Sequence, residues 1–477
     1  MSIIKEVIII GAGVAGIAAA TRLFEHGIEN ILVLEAENRI GGRVNTVDLP
    51  NDDGFVEFGA QWIHGEEKNA VFEMAASRNF IRPSHLTLDN MLYVRSSSKI
   101  VNLKTSHILY NQFKLIRTNI DKLVLKKCKS SGEYFTCRFL EAFEKMNNDE
   151  ISSDLQKEFL EWCHQFINSY DGTDSWFNSA SSSFHEFWEC AGNQYIVWEK
   201  GGYRTILSIM MEKCEKITNG NFSKNLIIKN TPVKKISMVD NMIHVECDND
   251  TIYLANHVII TVSLGVLKKK YKKLFEEIPL PEEKILAIEN LGIGTVNKIF
   301  LKFSHQWWPG DINGIGLLWD PKDKEIYIKQ EVGWVTDVFS FCRIDGVPNV
   351  LCGWVTGPSS QIMETLDETV VQTYLWEILK KFLGNHYDIP KPEYCIRSTW
   401  YSNDHFCGSY SFRSPSSDEL GVSSGILSTP LSNKIGDPVV LFAGEATHPH
   451  YYSTVHGAVE TGWREADRIL NFRKMKK

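Results

Sequence analysis

"EVIIIGAGVAGIAAATRLFEHG" (residues 6–27) runs from four consecutive β-branched residues into a glycine turn, then into an alanine-rich run closed by Gly27. The first part reads as a buried strand and the last as a helix lying close on it. "NILVLEA" (30–36) reads as a second strand, so the segment is a βαβ unit. Its turn, Gly11-Ala-Gly13-Val-Ala-Gly16, has the G-x-G-x-x-G spacing of a dinucleotide site. Gly11 permits the tight turn, Gly13 the approach of a pyrophosphate and Gly16 close helix–strand packing, while the helix N-terminus faces the negative charge. Glu35 ends the second strand 19 residues past Gly16, where a carboxylate can accept both ribose hydroxyls. An acid there disfavours a 2′-phosphate. "ENRIGGR" (37–43) then sets Arg39 and Arg43 around a second glycine turn, which suits FAD, a longer dinucleotide held extended, rather than a solvated basic turn.

The rest of the chain fits a large soluble protein. Its 477 residues, 43% hydrophobic and 23% charged, can bury two cores. A net charge of −8 argues against nucleic-acid binding and mildly favours a cationic partner. The ten cysteines include no C-x-x-C pair and no zinc spacing, so no metal site is expected. The first strand starts without a cleavable apolar segment before it, and the longest apolar run, "VIITVSLGVL" (258–267), is too short to span a bilayer. A cytoplasmic protein free of membranes is expected. Residues 82–200 are polar and helix-patterned. Gly201–Gly202 mark a break, followed by an antiparallel meander over "NLIIKNTPVKKISMV" and "MIHVECDNDTIYLANHVIITV". Strands and helical pieces alternate over 273–397, and the last segment is a strand, a long loop and an amphipathic helix.

Several motifs beyond the glycine turn resemble one family. These are "GAQWIHG" (59–65), "TPVKKI" (231–236), "VIITVSLGVLK" (258–268), "GTVNKIFLKF" (294–303), "STWYSNDHFCGSYSF" (398–412) and "FAGEATHPHYYSTVHGAVETGWREADRIL" (442–470). Together with E-x3-R-x-GGR they resemble the flavin-dependent amine oxidases over nearly the whole chain, most closely the animal polyamine oxidases of the spermine and acetylpolyamine types. The resemblance implies an α/β fold, a Rossmann-type FAD-binding domain (1–81, 201–272 and 398–477) interleaved with an α+β substrate domain (82–200 and 273–397). The stretch "HPHYYSTVHG" has no cysteine where the monoamine oxidases attach their flavin, so the FAD is expected to be non-covalent. Ser263 stands where the family usually has proline.

The resemblance also implies roles. Gly11, Gly13, Ala15, Gly16, Glu35, Ala36 and Arg43 would hold the FAD on the N-terminal side. Gly59, Ala60, Gln61 and Trp62 would lie along the flavin, with Val233 at the adenine and Trp400 beside the isoalloxazine. Gly444, Glu445, Thr454 and Val455 would complete the cofactor site. Lys298 would be a buried amine linked through water to the flavin, although a lysine on an alternating strand ordinarily faces solvent. His64 would point into the catalytic cavity, where an imidazole of near-neutral pKa can hydrogen-bond or deprotonate a substrate amine. Tyr410 and Tyr452, with Trp62 and Trp400, are candidate aromatic walls that attract a cation while desolvating it. Tyr203 and Ser453 would lie near a bound polyamine, and Glu189 could pair with its distal ammonium. The expected reaction uses polyamine and O2. The alternatives are an L-amino-acid or other amine oxidase, which for an amino acid needs an arginine facing the flavin, and a non-catalytic flavin-containing partner protein.

Overall fold

In the computed structural model, which describes residues 3–87, 89–145, 151–239 and 241–475, the opening stretch folds as a βαβ unit. Strand β1 (Ile3–Ile10) leads into helix α1 (Val14–Glu25) and strand β2 (Ile31–Leu34). β1 is flanked in parallel by β2 and by the strand Ile252–Ile260. Val7 and Ile9 enter one apolar cluster with α1, while Ile8 and Ile10 enter another on the opposite face. A strand covered on both sides needs an unbroken apolar run, which accounts for the four β-branched residues.

The glycines act where the backbone is crowded. Gly11 has φ +104°, and a Cβ on Gly16 would stand 2.0 Å from the Gly11 carbonyl oxygen. α1 also lies against the C-terminal helix Val455–Met475, tied by Arg22 to Asp467 at 2.9 Å.

The parallel sheet is extended by Pro438–Phe442 and Ile227–Ile228. The meander expected from the sequence is present: Val233–Val239, Met242–Cys247 and Ile252–Ile260 pair antiparallel in turn. A second, six-stranded sheet runs in the order Tyr394–Arg397, Val296–Lys302, Val347–Thr356, Ser340–Ile344, Gly314–Leu318, Met91–Arg95. The helices Leu103–Thr118, Ser131–Lys145 and Ser153–Asp171 cover it through a shared aromatic cluster that includes Phe113, Phe139, Phe159 and Trp162. One expectation needs correcting. Residues 82–200 are not helical throughout: Met91–Arg95 is an edge strand, paired in parallel with Gly314–Leu318.

Ser263, at the position where proline was expected, caps the helix Leu264–Leu274 by accepting the Val266 N–H. A side-chain cap of this kind satisfies one of the free N–H groups at the helix start.

Candidate active site

One cavity of about 1360 Å³ is lined from both large sheets and the helical cover. It begins at the glycine turn of α1 and ends among the side chains of Leu103–Thr118 and Ser153–Asp171.

The glycine-turn end suits an extended dinucleotide. α1 has no side-chain cap, so its first N–H groups are free for an anion. A Cβ on Gly13 would meet nothing closer than the Gly41 carbonyl oxygen at 3.9 Å; it would project into the cradle itself. The Glu35 carboxylate is buried and held by the N–H groups of Ala12 (2.6 Å) and Glu37 (2.8 Å), and burial raises its pKa. Ala15, Ala36 and Val233 also line this end. Gly16 does not: it packs behind the turn, so its part in the motif is close approach, not contact.

Arg43 and Glu445, read as separate cofactor residues, are joined to each other. Arg43 Nη1 donates to Glu445 Oε1 and to the Ser409 carbonyl, both at 2.7 Å. Glu445 Oε2 accepts from Ser411 Oγ (2.6 Å) and from the Ser453 N–H (2.8 Å). This network ties the N-terminal glycine turn to the C-terminal motif across the cavity wall. Gly444, Thr454 and Val455 stand beside it, where Thr454 Oγ1 accepts the Gly457 N–H at the start of the last helix. Trp400 is buried, packs edge-on to Phe406 and donates to the Phe58 carbonyl at 3.3 Å.

Lys298 occupies the centre, only 4% exposed. Its strand is flanked on both sides, and Lys298, Phe300 and Lys302 share the face turned toward residues 49–59. Nζ donates to the carbonyls of Glu57 (3.0 Å) and Gly59 (2.9 Å) and to Gln61 Oε1 (2.8 Å). It also lies 4.8 Å from the Trp354 ring centroid and 5.9 Å from that of Trp62, two indoles stacked at 6.0 Å. Burial lowers the Lys298 pKa and raises that of the neighbouring Glu57 carboxyl, each charge partly restoring the other.

His64 lines the same space. Its Nδ1 lies 2.7 Å from the Gln194 carbonyl oxygen, so Nδ1 carries the proton of the neutral ring and Nε2 is left as acceptor. Burial lowers its pKa, and the charge of Arg117 lowers it further. Further out, Tyr452 is buried with its hydroxyl unpartnered among the described residues, and Tyr410 donates to the Ser169 carbonyl. Ser453 has φ +64° and bonds through Oγ to the Ser411 carbonyl. Tyr203 lies in the wall, fully buried against Trp198 at 5.5 Å. Glu189 is exposed at the rim, accepting from Tyr170 at 3.2 Å.

Sequence reasoning missed Trp354, Glu57, Asp171 and Arg117, all in or beside this cavity. Asp171 is pushed up to about 6 by burial, opposed by a hydrogen bond from Ser179 and by Arg117. The left-handed Gly172 that ends its helix was visible as "YDG", the one local signal for it. Among the described residues no group of three or more His, Cys, Asp or Glu could hold a metal, and no helix is long and apolar enough to cross a membrane.

A dinucleotide cradle opening onto a buried lysine and a partly buried histidine suits a flavin enzyme acting on an amine. Residues 14–470 match the family model described as flavin containing amine oxidoreductase, and the chain belongs to that family. It is 31% identical to the peroxisomal N(1)-acetyl-spermine/spermidine oxidase of Bos taurus, covering 98% of this chain and 94% of the relative. The Homo sapiens protein of the same name is also 31% identical, over 98% and 95%. Probable polyamine oxidase 5 of Arabidopsis thaliana is 26% identical, over 98% of each chain. The protein is an FAD-dependent amine oxidase.

Proposed function

We propose that this protein oxidises polyamines: spermine, spermidine or their N-acetylated forms. The carrying observation is the continuity of one aromatic-walled cavity, from the dinucleotide cradle past Lys298 and His64 to the carboxylates Asp171 and Glu189. A flexible chain with several amines fits such a space, since the two acids attract ammonium groups away from the reacting centre. Substrate, water and O2 would give an aldehyde, a shorter amine and hydrogen peroxide.

FAD would be held by the Gly11–Gly13 turn, Glu35 and the 59–62 loop, and when bound would supply the two-electron oxidation of the C–N bond, with O2 as the final acceptor. The chain's own residues prepare that step. An ammonium has no lone pair to support an iminium, so the reacting nitrogen must be neutral. Trp62, Trp354 and Trp400 exclude water and so lower the amine pKa. His64 Nε2 accepts the N–H or the proton, its ring oriented by the Gln194 carbonyl. Lys298 and Gln61, bonded to each other, are polar groups beside the 59–62 loop that the water hydrolysing the iminium could use on exchanging one of their bonds.

The division into an FAD part (1–81, 201–272, 398–477) and a substrate part (82–200, 273–397) is proposed on the same grounds. A cytoplasmic location is likewise proposed from the sequence; fractionation against a peroxisomal marker tests it. For the function, the holoenzyme is mixed anaerobically with spermine, spermidine and N1-acetylspermine. Bleaching of the flavin's visible band by at least one, with peroxide released on aeration, is expected. A flavin that stays oxidised with all three, yet bleaches with L-amino acids, refutes the reading.

A further inference from the structure

Arg117 ends the helix Leu103–Thr118 and turns into the cavity. Its guanidinium carbon lies 4.2 Å from the Tyr170 ring centroid and 5.7 Å from that of Phe166. Tyr170 is itself fixed by its hydroxyl bond to Glu189. Each other arginine lining the cavity has acceptors: Arg43 has Glu445, Arg343 the carbonyls of Gly310 and Ile312, and Arg413 has Asp418 and Glu186. Among the described residues the Arg117 guanidinium has no ion pair; Tyr170 takes a side-chain hydrogen bond from it, and the rest of its rigid fork of N–H donors is left to the cavity. It also lies within electrostatic reach of His64, Asp171, Tyr195 and Glu189.

A fixed cation is out of place in a cavity that receives a polycation, unless the substrate group beside it is not charged. We propose that Arg117 is a specificity-determining residue: the N–H groups that Tyr170 does not engage take a planar oxygen acceptor, the carbonyl of an N-acyl end, and the charge repels a free ammonium at the same place. This rests on the polyamine reading above and goes beyond it by assigning the discrimination to one side chain. A carboxylate offers the same planar oxygens, so a substrate ending in carboxylate is the competing source of that chemistry. Stacking on Tyr170 holds the fork in one orientation, as a lysine could not.

The test compares the parent holoenzyme with Arg117→Met, which keeps a stem of similar length against Tyr170, and Arg117→Lys, which keeps the charge without the fork. Peroxide release is measured with N1-acetylspermine, spermine and a spermidine bearing a terminal carboxylate. Equilibrium binding of N-acetyl-1,3-diaminopropane and 1,3-diaminopropane is read from the flavin spectrum, independent of turnover. Arg117→Met should raise KM for N1-acetylspermine by about 10- to 100-fold with little change in kcat, the range for losing a hydrogen bond to a charged group. It should also raise kcat/KM for spermine, while Arg117→Lys keeps spermine poor and only partly restores the acetylated substrate. Equal changes for both substrates, at parent FAD content, overturn the proposal. Preference for the carboxylate substrate that vanishes in Arg117→Met overturns the acyl assignment in favour of a carboxylate. Discrimination in binding without turnover of any polyamine sustains Arg117 and sinks the proposed function; turnover with no discrimination does the reverse.

Discussion

Lys298→Met perturbs the centre of the site with little change in side-chain length or packing on Trp354. An ammonium has three donors, and all three are used, by the carbonyls of Glu57 and Gly59 and by Gln61 Oε1. A water can therefore join Lys298 only if one of these bonds is given up, as it is in the neutral amine, which has two N–H donors and a lone pair that can accept. Burial lowers its pKa and so favours that neutral form. Methionine strands the acceptors at about 1–3 kcal/mol for each one left without water. It also removes a desolvated charge, so the net loss of stability should be about 1–3 kcal/mol rather than three full penalties. The sign of the pH effect follows. With a native pKa below the unfolded one, the parent gains stability as pH rises from the lowered value toward the ordinary lysine value, and loses that gain as pH falls. Lys298→Met should lack this alkaline gain in denaturant titrations. Its main kinetic defect should be reoxidation, slowed by about 10²-fold or more, the scale of a positioned proton-transfer group. Rapid mixing of anaerobically reduced enzyme with O2 measures this separately from reduction by substrate. Reoxidation at the parent rate refutes the reasoning.

His64→Ala should show the opposite split: reduction slowed by about 10²-fold with an altered pH profile, reoxidation nearly unchanged; equal slowing of both halves would contradict the assignment of Nε2 to the substrate amine. Acid precipitation should release all the yellow colour to the supernatant, and colour kept in the pellet would show a covalent flavin. Gly13→Val should fold, since no protein atom crowds the new side chain, yet lose FAD at low added cofactor. Glu35→Ala should weaken FAD binding by about 1.5–3 kcal/mol, the range for a charged acceptor, read by fluorescence titration. Asp171, with a pKa near 6, should lose its charge as pH falls through that value. KM for a polycation should then rise on the acid side in the parent, and Asp171→Asn should flatten this limb; an unchanged limb would place its origin elsewhere.

What could be read from the sequence was what is contiguous in it. The βαβ unit declares itself because a strand buried on both faces, a glycine turn and a close-packed helix are each local patterns, and their order leaves one topology. The cofactor motifs are likewise short runs whose residues stay together in space. Met91–Arg95 escaped because a five-residue edge strand draws its identity from Gly314–Leu318, far along the chain, and not from its own periodicity. Lys298 drew attention only through its motif. Alternation alone would have put it in water, and its burial depends on the carbonyls of Glu57 and Gly59 arriving from another segment.

Trp354 and Arg117 had no local signal at all. The first is one aromatic in an apolar strand, and the second resembles any cation at a helix C-terminus, where the dipole favours positive charge. That position explains why an arginine is tolerated there but not why it faces the cavity with no carboxylate paired to it among the described residues. The cavity end of α1 is defined by short contiguous motifs, the two glycine turns and Glu35, that serve the cofactor and not the amine. The opposite end is defined by individual side chains from helices that converge only in the folded protein. Preference among amines therefore has to reside at that second end, and exchanging its charged residues should change the choice of substrate while leaving the cofactor in place.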